Sequence, residues 1–174
     1  MNDRIQPDDK TQTAAVFAGG CFWGIEHLFS RVAGVAGVES GYTGGHVADP
    51  TYEQVCTDRT GHAEAVRVTY DPDRISYEQL ARLFFEFHDP TQLNRQGPDI
   101  GNRYRSAVFY ADDEEKRTVE HLIGLLRERG YNVVTTLEPL GRFYPAEEYH
   151  QHYIDRHPGR GCHLPVHRFE RKVS

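Results

Sequence analysis

Between residues 63 and 88 the apolar pattern of the chain switches from a period of two to a helical one. AEAVRVTY (63–70) alternates, with Val66, Val68 and Tyr70 on one face, as a half-buried strand does. SYEQLARLFFEFH (76–88) then opens with Ser76 and Gln79 in capping-box spacing and carries Leu80, Leu83, Phe84 and Phe87 along one helical stripe. The same switch occurs near the start of the chain. TAAVFAG (13–19), an apolar run suited to a strand buried on both faces, leads at once into a stripe of Ile25, Leu28, Phe29 and Val32 closed by Gly34. It recurs later, where RYRSAVFY (103–110) predicts a strand and 112–130 a helix with acidic residues in its first turn and Gly130 as its stop. Residues 133–137 predict a fourth strand and 146–157 a last short helix, whereas 37–62 is turn-rich. The strands are few and the loops long, which favours an α+β fold, a two-layer α/β sandwich, over a doubly wound parallel sheet.

With 174 residues the chain is long enough for one sizeable core and too short for two ordinary domains. The expected organisation is a loose leader over 1–12, a single catalytic domain over 13–157 and a flexible tail over 158–174 that carries Cys162. Twenty basic against 26 acidic residues leave a net charge of −6, and no Lys/Arg cluster marks a nucleic-acid footprint. The opening MNDRIQPDDKTQ is polar and acidic where a secretory signal has a basic end and an apolar run, and no apolar stretch approaches membrane-spanning length. These features point to the cytoplasm, with neither nucleic acid nor membrane as a partner. Three scattered cysteines, Cys21, Cys56 and Cys162, are too few for a disulfide scaffold, so each is a candidate for inert, catalytic or metal-binding use.

Cys21 sits in GGCFWG at the junction of the first strand and its helix, where backbone N–H groups and the positive end of the helix dipole favour a thiolate. The glycines before it allow a tight turn and an uncrowded sulfur. The competing reading is a small buried hydrophobe, the usual place of a cysteine outside a disulfide. Trp23 falls on the side of the helix opposite the apolar stripe, which suggests an apolar pocket for a small ligand group beside the sulfur, or else a second packing layer. Glu64 shares a strand face with Val66, Val68 and Tyr70. Desolvation there raises a carboxyl above its ordinary pKa and fits it for general acid work, unless it reaches solvent at the strand's end. Cys162, in PGRGCH, lies in a polar, flexible context suited to a thiol that condenses with a sulfenic acid, or is an incidental tail cysteine. Cys56 reads as a buried inert thiol.

His150, His152, His157, Cys162 and His163 crowd the C-terminal stretch, but there is no CxxC pair and no HExxH, so no metal is expected. The glycines of GYTGGH lack the lysine of a phosphate loop. Two rival functions stay open on the residues alone. A cysteine hydrolase shares a cysteine followed by an aromatic with papain-type signatures, yet needs a histidine base that nothing among ten candidates nominates. A metal-binding or scaffold module predicts that Cys21→Ser leaves function intact.

GCFWG (20–24), GYTGG (41–45), PTYEQVC (50–56), GHAEAV (61–66) and HDPTQLNRQGPDIGNRYRSAVFY (88–110) occur together and in order. Taken as a set over about residues 13–162, they resemble the A type of peptide-methionine sulfoxide reductase. The resemblance implies a two-layer α/β sandwich, here expected as a ferredoxin-like plait with long loops and a mobile C-terminal tail. It implies reduction of the S-epimer of methionine sulfoxide, free or in oxidised proteins, and no metal or organic cofactor. By matching positions it makes Cys21 the nucleophile, Glu64 the proton donor to the sulfoxide oxygen, and Tyr52 and Tyr104 hydrogen-bond donors to that oxygen. Asp99 becomes an acidic lining residue, and Phe22 and Trp23 the pocket for the S-methyl group. Cys162 becomes the resolving cysteine, whose disulfide with Cys21 is reduced by an external dithiol such as thioredoxin. Two positions depart from the family's pattern: Gly161 stands where tyrosine often precedes the resolving cysteine, with no later cysteine, and Arg103 replaces a frequent glutamine.

Overall fold

A computed structural model describes residues 13–159 and 163–170. The expected leader over 1–12 and the tail residues 160–162 and 171–174, with Cys162 among them, lie outside the described residues. In chain order the elements are β1 (Thr13–Gly19), α1 (Phe22–Ser30), β2 (Val35–Thr43), α2 (Tyr52–Val55), β3 (Ala63–Tyr70), α3 (Tyr77–Phe87), β4 (Arg95–Gln96), β5 (Asp99–Ile100), β6 (Ser106–Tyr110), α4 (Asp113–Glu128), β7 (Thr136–Pro139), β8 (Tyr144–Pro145) and α5 (Tyr153–Arg156). Single 3₁₀ turns occupy Asn102–Tyr104 and Glu148–His150.

Six strands form one sheet in the order β7-β6-β1-β3-β2-β8, and β4 and β5 form a separate short hairpin. Within the large sheet β6 and β7 are parallel and the other neighbours antiparallel. The period-two pattern explains why one face is heavily packed: Phe17, Val66, Val68 and Val108 join Phe22, Ile25 and Phe29 of α1, Leu80, Phe84 and Phe85 of α3 and Leu122 and Leu126 of α4 in one cluster. The Phe17 ring lies between those of Phe29 and Phe84, with centroids 5.4 and 5.0 Å away. The other face carries a smaller cluster of Val16, Ala18, Ala63, Ala65, Ala107 and Phe109, against which Phe143 packs. This is a mixed α/β fold whose central strands are buried on both faces.

The start of α3 follows the cap chemistry read from the sequence, and α4 adds a cap that was not read there. Ser76 Oγ accepts from Gln79 N at 3.1 Å while Gln79 Oε1 accepts from Ser76 N at 2.9 Å, a complete capping box on α3. Asp112 caps α4 through Glu115 N at 2.9 Å.

Five segments differ from the sequence expectation. The strand expected over 103–110 begins only at Ser106, because Asn102–Tyr104 form a 3₁₀ turn ahead of it. The turn-rich stretch 37–62 holds most of β2 and all of α2: β2 pairs with β3 from Val35↔Tyr70 to Thr43↔Ala63 with a bulge between Val35 and Gly37, and the glycines and the bulge hide the alternation. The strand expected over 133–137 begins instead at Thr136. The helix expected over 146–157 is broken by His152, whose backbone is left-handed (φ 53°) and whose N–H lies 3.0 and 2.9 Å from the two carboxylate oxygens of Glu26. Glu26 is buried, which raises its pKa, and the His152 N–H partly offsets that cost. Residues 163–170, expected in a mobile tail, lie against the body. Val166 N donates to Glu86 O at 2.8 Å, Arg168 is buried, and the Arg82 guanidinium stands 4.8 Å from the Phe169 ring centre, so polar residues make the seat that apolar periodicity would not reveal.

Candidate active site

The first strand delivers the chain to Gly20, whose positive φ of 92° turns it into α1, and Cys21 takes the N-cap position. Cys21 is half-buried at the mouth of the helix, where the dipole and the first-turn N–H groups favour negative charge. One of those groups, Phe22 N–H, donates to Glu64 Oε1 at 3.3 Å and so joins the helix start to β3. Glu64 is only 2% exposed, which rules out the reading in which it reaches solvent. Burial pushes its carboxyl up to about 8; the Phe22 N–H and the Arg103 charge oppose the shift, while Asp99 and Asp58 reinforce it. At neutral pH the group is therefore mostly protonated.

Around this pair the aromatic side chains form a continuous wall. Tyr42 sits across from Glu64 in the β2–β3 register, with its ring 5.8 Å from that of Phe22, and its hydroxyl donates to Glu147 Oε1 at 2.9 Å. Glu147 Oε2 accepts from Tyr52 N at 3.0 Å, which fixes the start of α2. Trp23 Nε1 donates to Nδ1 of the buried His150 at 3.0 Å, and the indole stacks on Tyr153 at 3.7 Å between ring centres. His150 also lies 4.3 Å from the Tyr52 ring. Trp23 is half-buried, packed against the main core cluster as well as under His150 and Tyr153, so the second packing layer that its helical phase left open is present. Phe22, in contrast, is fully buried.

Tyr52, Tyr104 and Asp99 gather on the Glu64 side. Burial, a hydrogen bond with the Cys56 side chain and the Glu64 charge raise the pKa of Tyr52, and burial with the Glu64 charge pushes Tyr104 up to about 12, so both keep their protons. Arg103 Nη1 bonds Asp58 Oδ2 at 2.6 Å and its guanidinium lies 4.4 Å from the Tyr104 ring centre, so this departure from the family's glutamine braces the tyrosine. Cys56 is half-buried beside Tyr52 rather than sealed in the core. The structure therefore brings Cys21, Phe22, Trp23, Tyr52, Glu64, Asp99 and Tyr104 into one region, while Cys162 lies outside the described residues. Sequence reasoning missed Tyr42, Glu147, His150 and Tyr153 as parts of the wall. Their partners are 105–127 positions distant in the chain for Tyr42–Glu147 and Trp23–His150, beyond any periodicity.

Among the described residues no group of three or more His, Cys, Asp or Glu side chains is arranged to hold a metal, and no helix is long and apolar enough to cross a membrane. Residues 13–174 match the family model described as peptide methionine sulfoxide reductase. The chain belongs to this family. A curated relative from Methanothermobacter thermautotrophicus, named peptide methionine sulfoxide reductase MsrA, is 52% identical over 86% of this chain and 90% of its own length. The reduced form of Mxr1 from Saccharomyces cerevisiae superposes with a TM-score of 0.84 at 33% identity, covering 95% of this chain and 98% of that one. Mxr1 solved in complex with Trx2 shares the fold with a TM-score of 0.61 at 23% identity, over 95% and 97% of the two chains. Reduction of methionine sulfoxide is the activity of this family.

Proposed function

We propose that Cys21 attacks the sulfur of S-epimer methionine sulfoxide, free or in oxidised proteins, while Glu64 protonates the departing oxygen. The observation that carries this reading is the hydrogen bond that sets a neutral, buried carboxyl against the first turn of the helix capped by Cys21. A sulfoxide oxygen leaves only once protonated, so nucleophile and acid serve one step. The Cys21–substrate S–S bond forms as the substrate S–O bond breaks, and the protonated oxygen leaves as water. Water then adds to the Cys21 sulfur, the S–S bond breaks with its electron pair going to methionine, and Cys21 is left as a sulfenic acid. Tyr52 and Tyr104, both protonated, hydrogen-bond the sulfoxide oxygen, Asp99 lines the site, and Phe22 and Trp23 receive the S-methyl group. Cys162 then displaces water to form a disulfide with Cys21, and an external dithiol reduces it. The yeast Mxr1–Trx2 complex supports thioredoxin as that dithiol. No prosthetic group enters this scheme.

The same reading places the catalytic domain at 13–157 in the cytoplasm. Its core has the form of a ferredoxin-like plait, supported by the order β6-β1-β3-β2 with helices following β1 and β3. A hydrolase reading needs an imidazole base, and two histidines are otherwise engaged. His150 Nδ1 accepts from Trp23, and His88 contacts Phe84 O and Ser106 Oγ, with burial pushing its pKa down to about 3.

The test is to add methionine sulfoxide to reduced protein without reductant and to count methionine and thiols. One methionine per chain with loss of the Cys21 and Cys162 thiols is expected; unchanged thiols would sink the proposal. Cys162→Ser should complete one turnover and then stall with thioredoxin, which sustained thioredoxin-driven turnover would contradict. Trp23→Ala should raise the KM for methionine sulfoxide about tenfold, the scale of one lost apolar contact surface of 1–3 kcal/mol. Its thermal midpoint should fall only modestly, and a KM within twofold of the parent would refute the pocket.

A further inference from the structure

We propose that Glu26 is a positioning residue of the pocket: by accepting the His152 N–H it holds His150 and Tyr153 on Trp23, and so sets how well the substrate's S-methyl group is received. The inference rests on the reading of Trp23 as part of that pocket and adds the group that keeps the pocket in shape. Glu26 lies one turn beyond Trp23 on α1, at i and i+3, hence on the same side of the helix. It is only 1% exposed, and its two carboxyl oxygens lie 3.0 and 2.9 Å from His152 N. His152 stands between His150 and Tyr153, the two residues that hold the indole, and they do so in different directions. Trp23 Nε1 donates in the plane of its ring to His150 Nδ1 at 3.0 Å. Tyr153 covers the face of that ring, with 3.7 Å between centres and 9° between planes.

Two unfavourable features meet at this contact, and packing alone requires neither. A carboxyl is costly to bury where a leucine would be favourable. His152, with φ 53° and ψ 36°, occupies a region that a non-glycine residue enters only at a cost in free energy. What the pair provides is a fixed break between the 3₁₀ turn Glu148–His150 and α5. Upstream of the break the run is already fastened to β2, since Gln151 Oε1 accepts from Ser40 N and Gln151 Nε2 donates to Ser40 O, both at 2.9 Å. Downstream, the other polar ties of α5 to α1 among the described residues are ion pairs of the half-exposed Asp155 with His27 and Arg31, at 3.3 and 4.0 Å, a kind that contributes little. Ile154 is buried as well, but burial is non-directional and does not fix the way Tyr153 faces. Loss of the Glu26 acceptor therefore releases Tyr153 from the indole first. Cys21 and Glu64 stay in place, because the Phe22 N–H that joins the start of α1 to β3 is untouched.

The experiment pairs steady-state reduction of methionine sulfoxide, driven by a small dithiol, with the fluorescence of Trp23, the only tryptophan of the chain. Glu26→Leu suits a buried helix position and accepts no hydrogen bond. It should raise KM about three- to tenfold, the scale of one lost hydrogen bond, and leave kcat within about twofold of the parent. Its emission should move to longer wavelength as the uncovered indole face meets water. Glu26→Gln, whose amide oxygen still accepts from the His152 N–H, should return both KM and emission to the parent values. On a Trp23→Ala background Glu26→Leu should add less than about twofold to KM, because the contact it serves is gone. A folded Glu26→Leu with the parent's KM and emission overturns the clamp, and so does an undiminished KM effect on the Trp23→Ala background. Should Glu26→Leu not fold, hydrogen exchange on the parent decides: the His152 amide should be protected, and free exchange overturns the clamp. A Trp23→Ala variant with the parent's KM overturns the pocket reading itself, so that single variant tells the two failures apart.

Discussion

Cys21→Ser should fold normally and yield no methionine, with the rate of sulfoxide reduction down on the order of 10⁴-fold or more. Serine keeps the size and N-cap competence of the position, so the helix start survives. The hydroxyl is a far weaker nucleophile than a thiolate toward sulfur and forms no sulfenic acid that a second thiol could displace. The loss should be as complete for free methionine sulfoxide as for an oxidised peptide, because it removes the bond-forming atom and not a contact with the substrate. Methionine formed at a tenth of the parent rate or more would exclude Cys21 as nucleophile. It would also return the scaffold reading to consideration.

Glu64→Gln should slow methionine formation at pH 7 by about 10²- to 10³-fold, the usual worth of a positioned general acid. The amide retains an oxygen that can accept from Phe22 N–H but gives up no proton to the leaving oxygen. Two pH signatures distinguish this role from a structural one. The Glu64 carboxyl is raised from 4.5 to about 8, so the parent's rate should fall as pH climbs through about 8 and the acid is lost, whereas that limb should vanish from the variant's profile. Stability moves in a defined direction too. Below pH 4.5 the carboxyl is protonated in both folded and unfolded chains. Between 4.5 and about 8 only the unfolded chain releases the proton, so the parent loses stability as pH rises, at up to about 1.4 kcal/mol per pH unit. Glutamine has no such term. Thermal midpoints measured at pH 4 and pH 8 should therefore shift in favour of the variant at the higher pH. Equal pH dependence of the two midpoints would mean that Glu64 is ionised in the fold.

The face that Glu64 shares with Val66, Val68 and Tyr70 was legible from alternation within one strand, but its burial was not, because a residue near a strand's end reaches solvent unless distant elements such as α1 cover it. The placement of Cys21 was legible for a similar reason, since the stripe of α1 and the glycines before it mark a helix start. α3 declared itself through a capping box whose two residues lie three apart, and α4 through the acidic residues of its first turn and Gly130 at its end. What stayed hidden depends on distant partners. β2 has two glycines and a bulge, and it becomes a strand because β3 offers a ladder on one side and β8 adds to the other. The break at His152 was invisible because a non-glycine residue adopts a left-handed backbone there only while the Glu26 carboxylate, 126 positions earlier, receives its N–H. The seating of 163–170 hinges on carbonyls of Gly19 and Glu86, and a carbonyl leaves no trace in a side-chain pattern.

The aromatic wall has a consequence for how such a site can change over time. The proposed nucleophile and acid stand at the start of α1 and on β3, but the partners that hold Tyr42, Tyr52 and Trp23 come from one short run, Glu147, His150 and Tyr153. That run contributes no strand to the sheet. Substitutions within it can reshape what the pocket admits while the bond-making pair stays put, so substrate range and chemical competence are inherited on separable pieces of the chain.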